Sequence, residues 1–392
     1  MSNNLSASFP EIWAKEQQTV FYKKNLAMEF ADTSFNAEMA YGATLDRVYR
    51  SQLVAQAYVR GSEISIDDLT DTKEQLNVNK SFATGFYVDD FDKIQSRYDI
   101  AMNYGKDAGE ALANQVDADV FGEVINADST LSDTTISTST VLGMFASAAK
   151  ELSKNNVTSR DRVAAVSPEV ASVLTQYLAS KNTMLGDDST KEGYFGKFYG
   201  FKVYESNQLT NKVVLALATL PTNGDTVVID GITFTFVSTI GTTAGNVLIG
   251  ANVDATRANL AALIAAPSTT TANGVALSTA NARKVANTWV GSNDNTANTL
   301  TVYCKGVGVA VCSETLTDGT DGFSSITQLN VFGVAKKCTT LVMQKSPVVQ
   351  LKEVPNKLGK NALNGVLYGV KTFSDNAKQM VSAPVVATSF TA

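Results

Sequence analysis

The sequence predicts an α+β protein in which a discontinuous host, residues 1–212 and 331–392, is interrupted by a small, mostly β domain at 213–330. Three observations predict it. A helix-period run extends from Asp92 to Asn126, and a helix–strand–helix pattern comes after it over Thr140–Ser180. Between Val213 and Asn330 the composition then shifts, with only 11 charged residues but 21 threonines in 118 positions. The low charge and abundant threonine suit strands on an exposed surface and not a flexible linker.

Composition removes several function classes. With 392 residues, 44% of them hydrophobic, the chain can bury a sizeable core. A net charge of −6 supplies no overall basic field, so any contact with DNA is expected to be weak and local. Neither a cationic, apolar leader nor any run of about eighteen apolar residues is present, which predicts a cytoplasmic protein with no membrane partner. Cys304, Cys312 and Cys338 are an odd number without metal-ligand spacing and read as small buried hydrophobes. Histidine is absent, which removes the Ser-His-Asp and Cys-His arrangements and the commonest metal ligand. No catalytic residue, metal or cofactor is expected, and the protein is read as not an enzyme.

Taken in order, residues 1–40 form an amino-terminal arm. Its Lys15, Lys23 and Lys24, interleaved with Trp13, Phe21 and Tyr22, suit packing on a neighbour or contact with nucleic acid. Residues 41–90 read as a ribbon: strands at Leu53–Val59 and Gln75–Val78, joined by an acidic connection holding Glu63, Asp67, Asp68, Asp71 and Glu74, with Phe82, Phe86 and Val88 continuing the second arm. A lone two-stranded ribbon is marginal in water, so another copy of the chain is a natural cover.

Residues 91–139 contain the long helix and a Thr/Ser-rich stretch after Asn126. Ile94, Tyr98, Met102, Leu112, Val116, Val120 and Val124 form an apolar stripe, with Lys93, Arg97, Glu110 and Asp117 opposite. Asp89 and Asp90 stand at its positive end. Gly105 and Gly109 inside it are either tolerated or mark a bend or close approach.

In residues 140–212 the pattern gives a helix over Thr140–Lys154, a strand over Arg162–Val166 and a helix over Pro168–Ser180, with Pro168 suited to a first turn. In the 213–330 segment, strands Thr226–Asp230 and Ile232–Val237 flank Asp230-Gly231, a dipeptide for a tight hairpin, which puts Ile232, Phe234 and Phe236 on one face. Asp254 is the expected cap of a helix over Ala255–Ala265 carrying Leu260, Leu263 and Ile264, and Thr299–Cys304 is a further strand. Leu209–Lys212 and Val331–Val334 would then rejoin as neighbours in the host.

Other motifs carry no chemistry. Gly193-Tyr-Phe-Gly-Lys197 has too few residues before its Gly-Lys for a phosphate loop, and Gly306-Val-Gly308 lacks a third glycine. The pairs Asp67-Asp68, Asp89-Asp90 and Asp187-Asp188, and Asp318-Gly-Thr-Asp-Gly322, read as solvated loops, helix starts and turns before they read as cation sites.

The order of parts is itself informative. An amino arm and a ribbon are succeeded by a helix leaving Val88-Asp-Asp-Phe-Asp-Lys-Ile-Gln95. An α/β domain, Gly196-Lys-Phe-Tyr-Gly-Phe-Lys-Val-Tyr-Glu-Ser-Asn207 and a closing Leu367-Tyr-Gly-Val-Lys-Thr-Phe373 come next. Together they resemble the major capsid proteins of tailed bacteriophages, whose shared fold is also called the Hong Kong phage fold. The resemblance implies an extended loop within Tyr41–Lys80, a spine helix over Phe91–Ala127 and an axial domain over about Thr140–Leu209. Peripheral strands would come from the segment after Asn126 and part of Lys336–Phe373, and residues 331–392 return to both domains. The 213–330 segment is similar to small β domains inserted in phage structural proteins. No coiled-coil-like leader precedes the arm, so a scaffold is implied to be separate, already cleaved or unnecessary.

The implied function is self-assembly into hexamers and pentamers of an icosahedral virion shell, built in the host cytoplasm around double-stranded DNA. Its partners would be itself and a portal, with room for a separate scaffolding protein and a decoration protein, and non-specific contact to packaged DNA. The assembly-interface candidates are Leu53, Val54, Tyr58 and Phe82, buried in trans; Glu63, Asp67, Asp68 and Asp71 at an acidic tip; and Arg97 on the polar face of the helix. Two alternatives compete: the shell protein of a cellular nanocompartment, and a carbohydrate- or cell-binding surface protein working through its threonine-rich segment.

Overall fold

The computed structural model describes residues 26–39, 41–50, 55, 57–58, 60–61, 63, 71–89, 100–181, 196–286, 288–306, 310–319, 321–345, 350–354 and 357–386. The chain divides into two compact units, residues 1–113 with 336–378, and residues 114–335 with 379–392.

The first unit is organised on the long strand Gly359–Lys371. Its first half lies between Gln350–Glu353 and Lys80–Asp89, and its second half pairs antiparallel with Thr339–Lys345. The ladder with Lys80–Asp89 runs unbroken from Gly359 opposite Asp89 to Tyr368 opposite Lys80, and Phe82 stands 6.1 Å, centroid to centroid, from the buried Tyr368 ring.

A ribbon of Thr44–Arg50 against Asp71–Asn77 grows from this sheet, in register from Thr44 opposite Asn77 to Arg50 opposite Asp71. This corrects the expected ribbon, whose first strand was placed at Leu53–Val59. The pairing strand is the one that supplies Leu45 opposite Leu76. Leu76 is fully buried with Met39, Val342 and Phe373, and Leu45 packs against that cluster. Burial at the root therefore fixes the register. Asp71 and Glu74, expected in the acidic connection, belong to the second strand.

Gly369 permits the close approach at this root. A Cβ there would lie 2.6 Å from the Asn77 carbonyl oxygen and 2.9 Å from Leu76 Cδ2. Only a bare backbone fits.

The long helix spans Ile100–Gly122 and ends in a tight turn over Glu123–Asn126; residues 92–99 of the expected run lie outside the described residues. Asp117, expected on a solvent face, is buried, because every position from Val116 to Val124 is enclosed. Part of that enclosure is the chain at Lys305-Gly306. A Cβ at Gly122 would sit 2.6 Å from Lys305 Cε, and one at Gly306 would sit 2.7 Å from the Ala118 Cβ.

The second unit is built on a nine-stranded sheet that includes, in order, Thr288–Asp294, Thr299–Cys304, Thr210–Ala216, Gly322–Val334, Arg162–Val166, Phe201–Glu205 and Lys197–Phe198, with Met380–Val386 also pairing to Gly322–Val334. The helices Val141–Lys154 and Pro168–Ala179 close one core, in which Phe145 meets Phe198 and Phe332 edge-on at 4.9 and 5.0 Å. Ser167 caps the second helix by accepting from the Val170 N–H at 3.3 Å, with Pro168 in the first turn as the sequence indicates.

A second core joins Val213, Leu215, Val302 and Ile326 of the large sheet to a four-stranded sheet of Asn246–Leu248, Ile232–Val237, Thr226–Ile229 and Cys312–Glu314 and to the helix Val253–Ala265. Asp230 (φ 50°) and Gly231 (φ 76°) form the expected two-residue hairpin, with Ile229 opposite Ile232. Ile232, Phe234 and Phe236 all point into the core. The helix cap is Asn252, whose side chain accepts from the Ala255 N–H at 2.8 Å, and not the expected Asp254. Asp254 instead pairs with Arg257, a fully buried arginine. Arg257 also donates to the Leu217 carbonyl at 2.6 Å and to the Asn293, Asn295 and Asn298 side chains at 3.0, 3.3 and 3.3 Å.

Thr210–Ala216 and Gly322–Val334 run straight across positions 213 and 330, so the structural boundary does not coincide with the compositional one. Cys304, Cys312 and Cys338 are buried free thiols, and burial pushes the Cys312 thiol up to about 11. In the Asp318–Gly322 turn, Asp321 accepts from the Ala218 and Thr219 N–H groups at 2.6 and 3.1 Å, so its carboxylate fastens a turn.

Candidate assembly surfaces

The ribbon is two-faced. Its inner side is fastened to its own unit: Arg47 reaches Asp375 at 2.6 Å and lies 5.2 Å over the Phe373 ring. Lys371 Nζ donates to the Gln75 carbonyl at 2.8 Å, Lys378 Nζ to the Tyr49 hydroxyl at 3.3 Å, and the Ser374 hydroxyl to Glu74. Its outer side shows Thr44, Asp46 and Val48 on one strand and Lys73 and Gln75 on the other, all exposed. There Asp46 meets Lys73 at 2.8 Å and Gln75 at 3.0 Å, and the Lys73 hydrogen bond holds the Asp46 carboxyl below its usual range.

Among the sequence-named interface candidates, Tyr58 is largely exposed, and its hydroxyl accepts from the Gly61 N–H at 3.4 Å. Glu63 is exposed, and Asp71 is exposed at the end of the ribbon, opposite Arg50. Phe82 is half-buried on Tyr368 of its own chain. Leu53, Val54, Asp67, Asp68 and Arg97 lie outside the described residues.

Sequence reading missed other exposed apolar groups: Tyr41, 93% exposed at the foot of the ribbon, Val48 within it, and Leu358 and Leu363 near the far end of the long ladder. Val48 was legible as a β-branched residue between Asp46 and Arg50. Leu358 carries no local signal, since the Tyr87 hydroxyl that donates to its carbonyl at 2.7 Å lies far away in the chain.

Among the described residues no group of three or more Cys, Asp or Glu side chains could hold a metal ion, and no helix is long and apolar enough to cross a membrane. What the surface offers is contact. An exposed ion pair such as Asp46–Lys73 contributes about 0–1 kcal/mol, whereas apolar area gives about 25 cal/mol per Å² once covered.

Residues 73–246 match the family model described as Phage capsid protein. No curated protein matches the chain. Among solved structures, a chain of Mycobacterium phage Che8 is similar over 98% of this chain and 98% of its own, at 16% identity and a TM-score of 0.57. The capsid structure of the Cyanophage P-SCSP1u covers 99% and 96% at 12% identity and a TM-score of 0.54. The capsid of Ralstonia phage GP4 covers 97% and 96% at 10% identity and a TM-score of 0.51. At such identities the likeness is one of fold. The chain therefore has the fold of phage capsid proteins, and its residues 73–246 match their family model.

Proposed function

We propose that this chain is the major capsid protein of a tailed bacteriophage, assembling as hexamers and pentamers into an icosahedral shell that encloses double-stranded DNA. The observation that carries the reading is the two-faced ribbon. Its root is buried in its own unit through Leu76 and Arg47, while Val48, Tyr58 and Tyr41 are left in water. A neighbouring copy covers these groups, and the acidic end around Glu63, Asp67, Asp68 and Asp71 meets its lysines or arginines. Stable interfaces bury roughly 1,600 Å² in total, and several such contacts per subunit give a shell its cohesion. The amino-terminal residues act as an arm and 41–78 as the extended loop, rooted on the sheet that Lys80–Asp89 joins, and the lobe grown on the 213–330 segment decorates the shell. A portal completes the assembly, with a scaffold that is separate, already cleaved or unnecessary.

Deleting Ile64–Thr70 spares both ribbon strands and their root. The variant is expected to keep wild-type circular dichroism and to give few or no closed particles in negative-stain electron microscopy. Particles indistinguishable from wild type would remove the extended-loop assignment. Nuclease-protected DNA inside purified particles separates a virion shell from a nanocompartment that holds enzyme cargo.

A further inference from the structure

The nine-stranded sheet ends on a hairpin in which Lys197 stands opposite Lys202 and Phe198 opposite Phe201. Its two-residue turn is Tyr199 (φ 49°) and Gly200 (φ 84°). Phe198 and Phe201 are buried edge-on to Phe145 at 4.9 and 6.1 Å, and Phe201 also meets Phe332 at 5.3 Å. With the phenyl rings fixed inward, strand alternation sends Lys197 and Lys202 together to the other face, where both are exposed. The Lys202 ammonium lies 4.9 Å from the Tyr204 ring centroid, and the Tyr199 ring is 53% exposed at the tip.

Two local costs coincide at this point. Like charges directly opposite on antiparallel strands repel. The first turn position, with positive φ, favours asparagine or glycine over an aromatic residue. A lone lysine would suffice to guard a sheet edge. Backbone strain beside concentrated charge is a mark of a working surface.

We propose that the Lys197–Lys202 hairpin is a contact for the phosphate backbone of double-stranded DNA. This rests on the reading that the shell encloses DNA, and it gives that reading a place on the chain. The two ammonium groups stem from Cβ atoms about 5 Å apart, and duplex DNA offers one negative charge per about 1.7 Å of axis. Both lysines can therefore be neutralised whichever way the duplex is turned. A protein partner would need two carboxylates placed in register. Lysine is a compact point charge suited to phosphate without a defined geometry, while arginine is the residue for bidentate recognition, and the hairpin holds no arginine. The Tyr199 hydroxyl adds a donor of the kind that positions phosphates.

The test titrates a random duplex of about 20 base pairs, the span of two helical turns, against the purified full chain by fluorescence anisotropy across a salt series, for wild type and Lys197→Gln/Lys202→Gln. Each lysine-to-phosphate contact adds about 0.9 to the magnitude of the slope of log K against log salt. The double variant is expected to lose about 1.8 from that magnitude and to bind about tenfold or more weakly at low salt, with an unchanged circular dichroism spectrum. A slope unaltered by the double substitution, or a wild type that does not bind the duplex, overturns the proposal. So does a variant that binds DNA as wild type does but no longer forms particles, which gives the lysines to a contact between copies. If wild type forms no particles while binding still depends on both lysines, the shell reading falls and the hairpin stands, so the two failures are distinguishable.

Discussion

Lys305 and Asp119 form an ion pair at 3.1 Å with side chains only 1% and 4% exposed. A pair so far from water is a weak source of net stability, because desolvating both charges offsets most of their attraction; removing one partner is costly, since the other is left buried and uncompensated. Asp117 and Glu123 are buried at the same end of the helix. Lys305→Met is expected to destabilise the protein by about 3–5 kcal/mol in urea unfolding. The double variant Lys305→Met/Asp119→Leu should recover much of that loss. A Lys305→Met midpoint equal to wild type would show that the pair is solvated. Sequence reading could not find this contact, as 186 positions separate the partners. A weak signal exists for Arg257: it is one of 11 charged residues in the 213–330 segment and is succeeded by Asn293, Asn295 and Asn298, the amides that satisfy it.

Elements were legible where their determinants are local. Asp230-Gly231 specifies its hairpin because both positions need positive φ, and Ser167-Pro168 specifies a helix start because both act on the turn they open. The ribbon strand was misplaced because Leu53–Val59 is the more apolar stretch, whereas Val342 and Phe373, remote in sequence, decide which strand lies beside Leu76. The cap of the Val253–Ala265 helix fell at Asn252 and not Asp254 because both residue types can cap, and Arg257 claims the aspartate. Glycines give a test of opposite signs at this scale. Gly231→Ala forces a side chain to φ 76° and should cost about 1–2 kcal/mol. Gly143→Ala sits in the exposed first turn of the Val141–Lys154 helix, where an added Cβ meets nothing within 4 Å. It should stabilise by roughly 0.5–1 kcal/mol. Thermal unfolding shifts of the same sign for both variants would contradict the backbone assignments.

For the whole molecule, composition announces a separate module at 213–330, yet backbone pairing and burial join it to the rest of its unit. Val213 and Leu215 pair within the large sheet and are buried with Phe234, Phe236 and Leu260 of the lobe, so a single core serves both. Deleting Val213–Asn330 removes most of Thr210–Ala216, all of Thr299–Cys304 and the part of Gly322–Val334 that pairs with Thr210–Ala216. Of its pairings with Gly322–Val334, Met380–Val386 would keep only those of Val331–Gly333. A narrower excision of Ala218–Ala297 is better placed, since the Leu217 N–H already donates to the Asn298 carbonyl at 2.9 Å and the adjoining strands are antiparallel neighbours. Even so, it strips the cover from Val213, Leu215, Val302 and Ile326, and a bare apolar sheet face associates in water. Both deletions are therefore expected to accumulate as insoluble protein and to give no particles, with the narrower one retaining more strand signal by infrared spectroscopy. Soluble product that closes into shells from the Val213–Asn330 deletion would mean that the large sheet rebuilds itself from the remaining strands, and the segment would then be decoration alone.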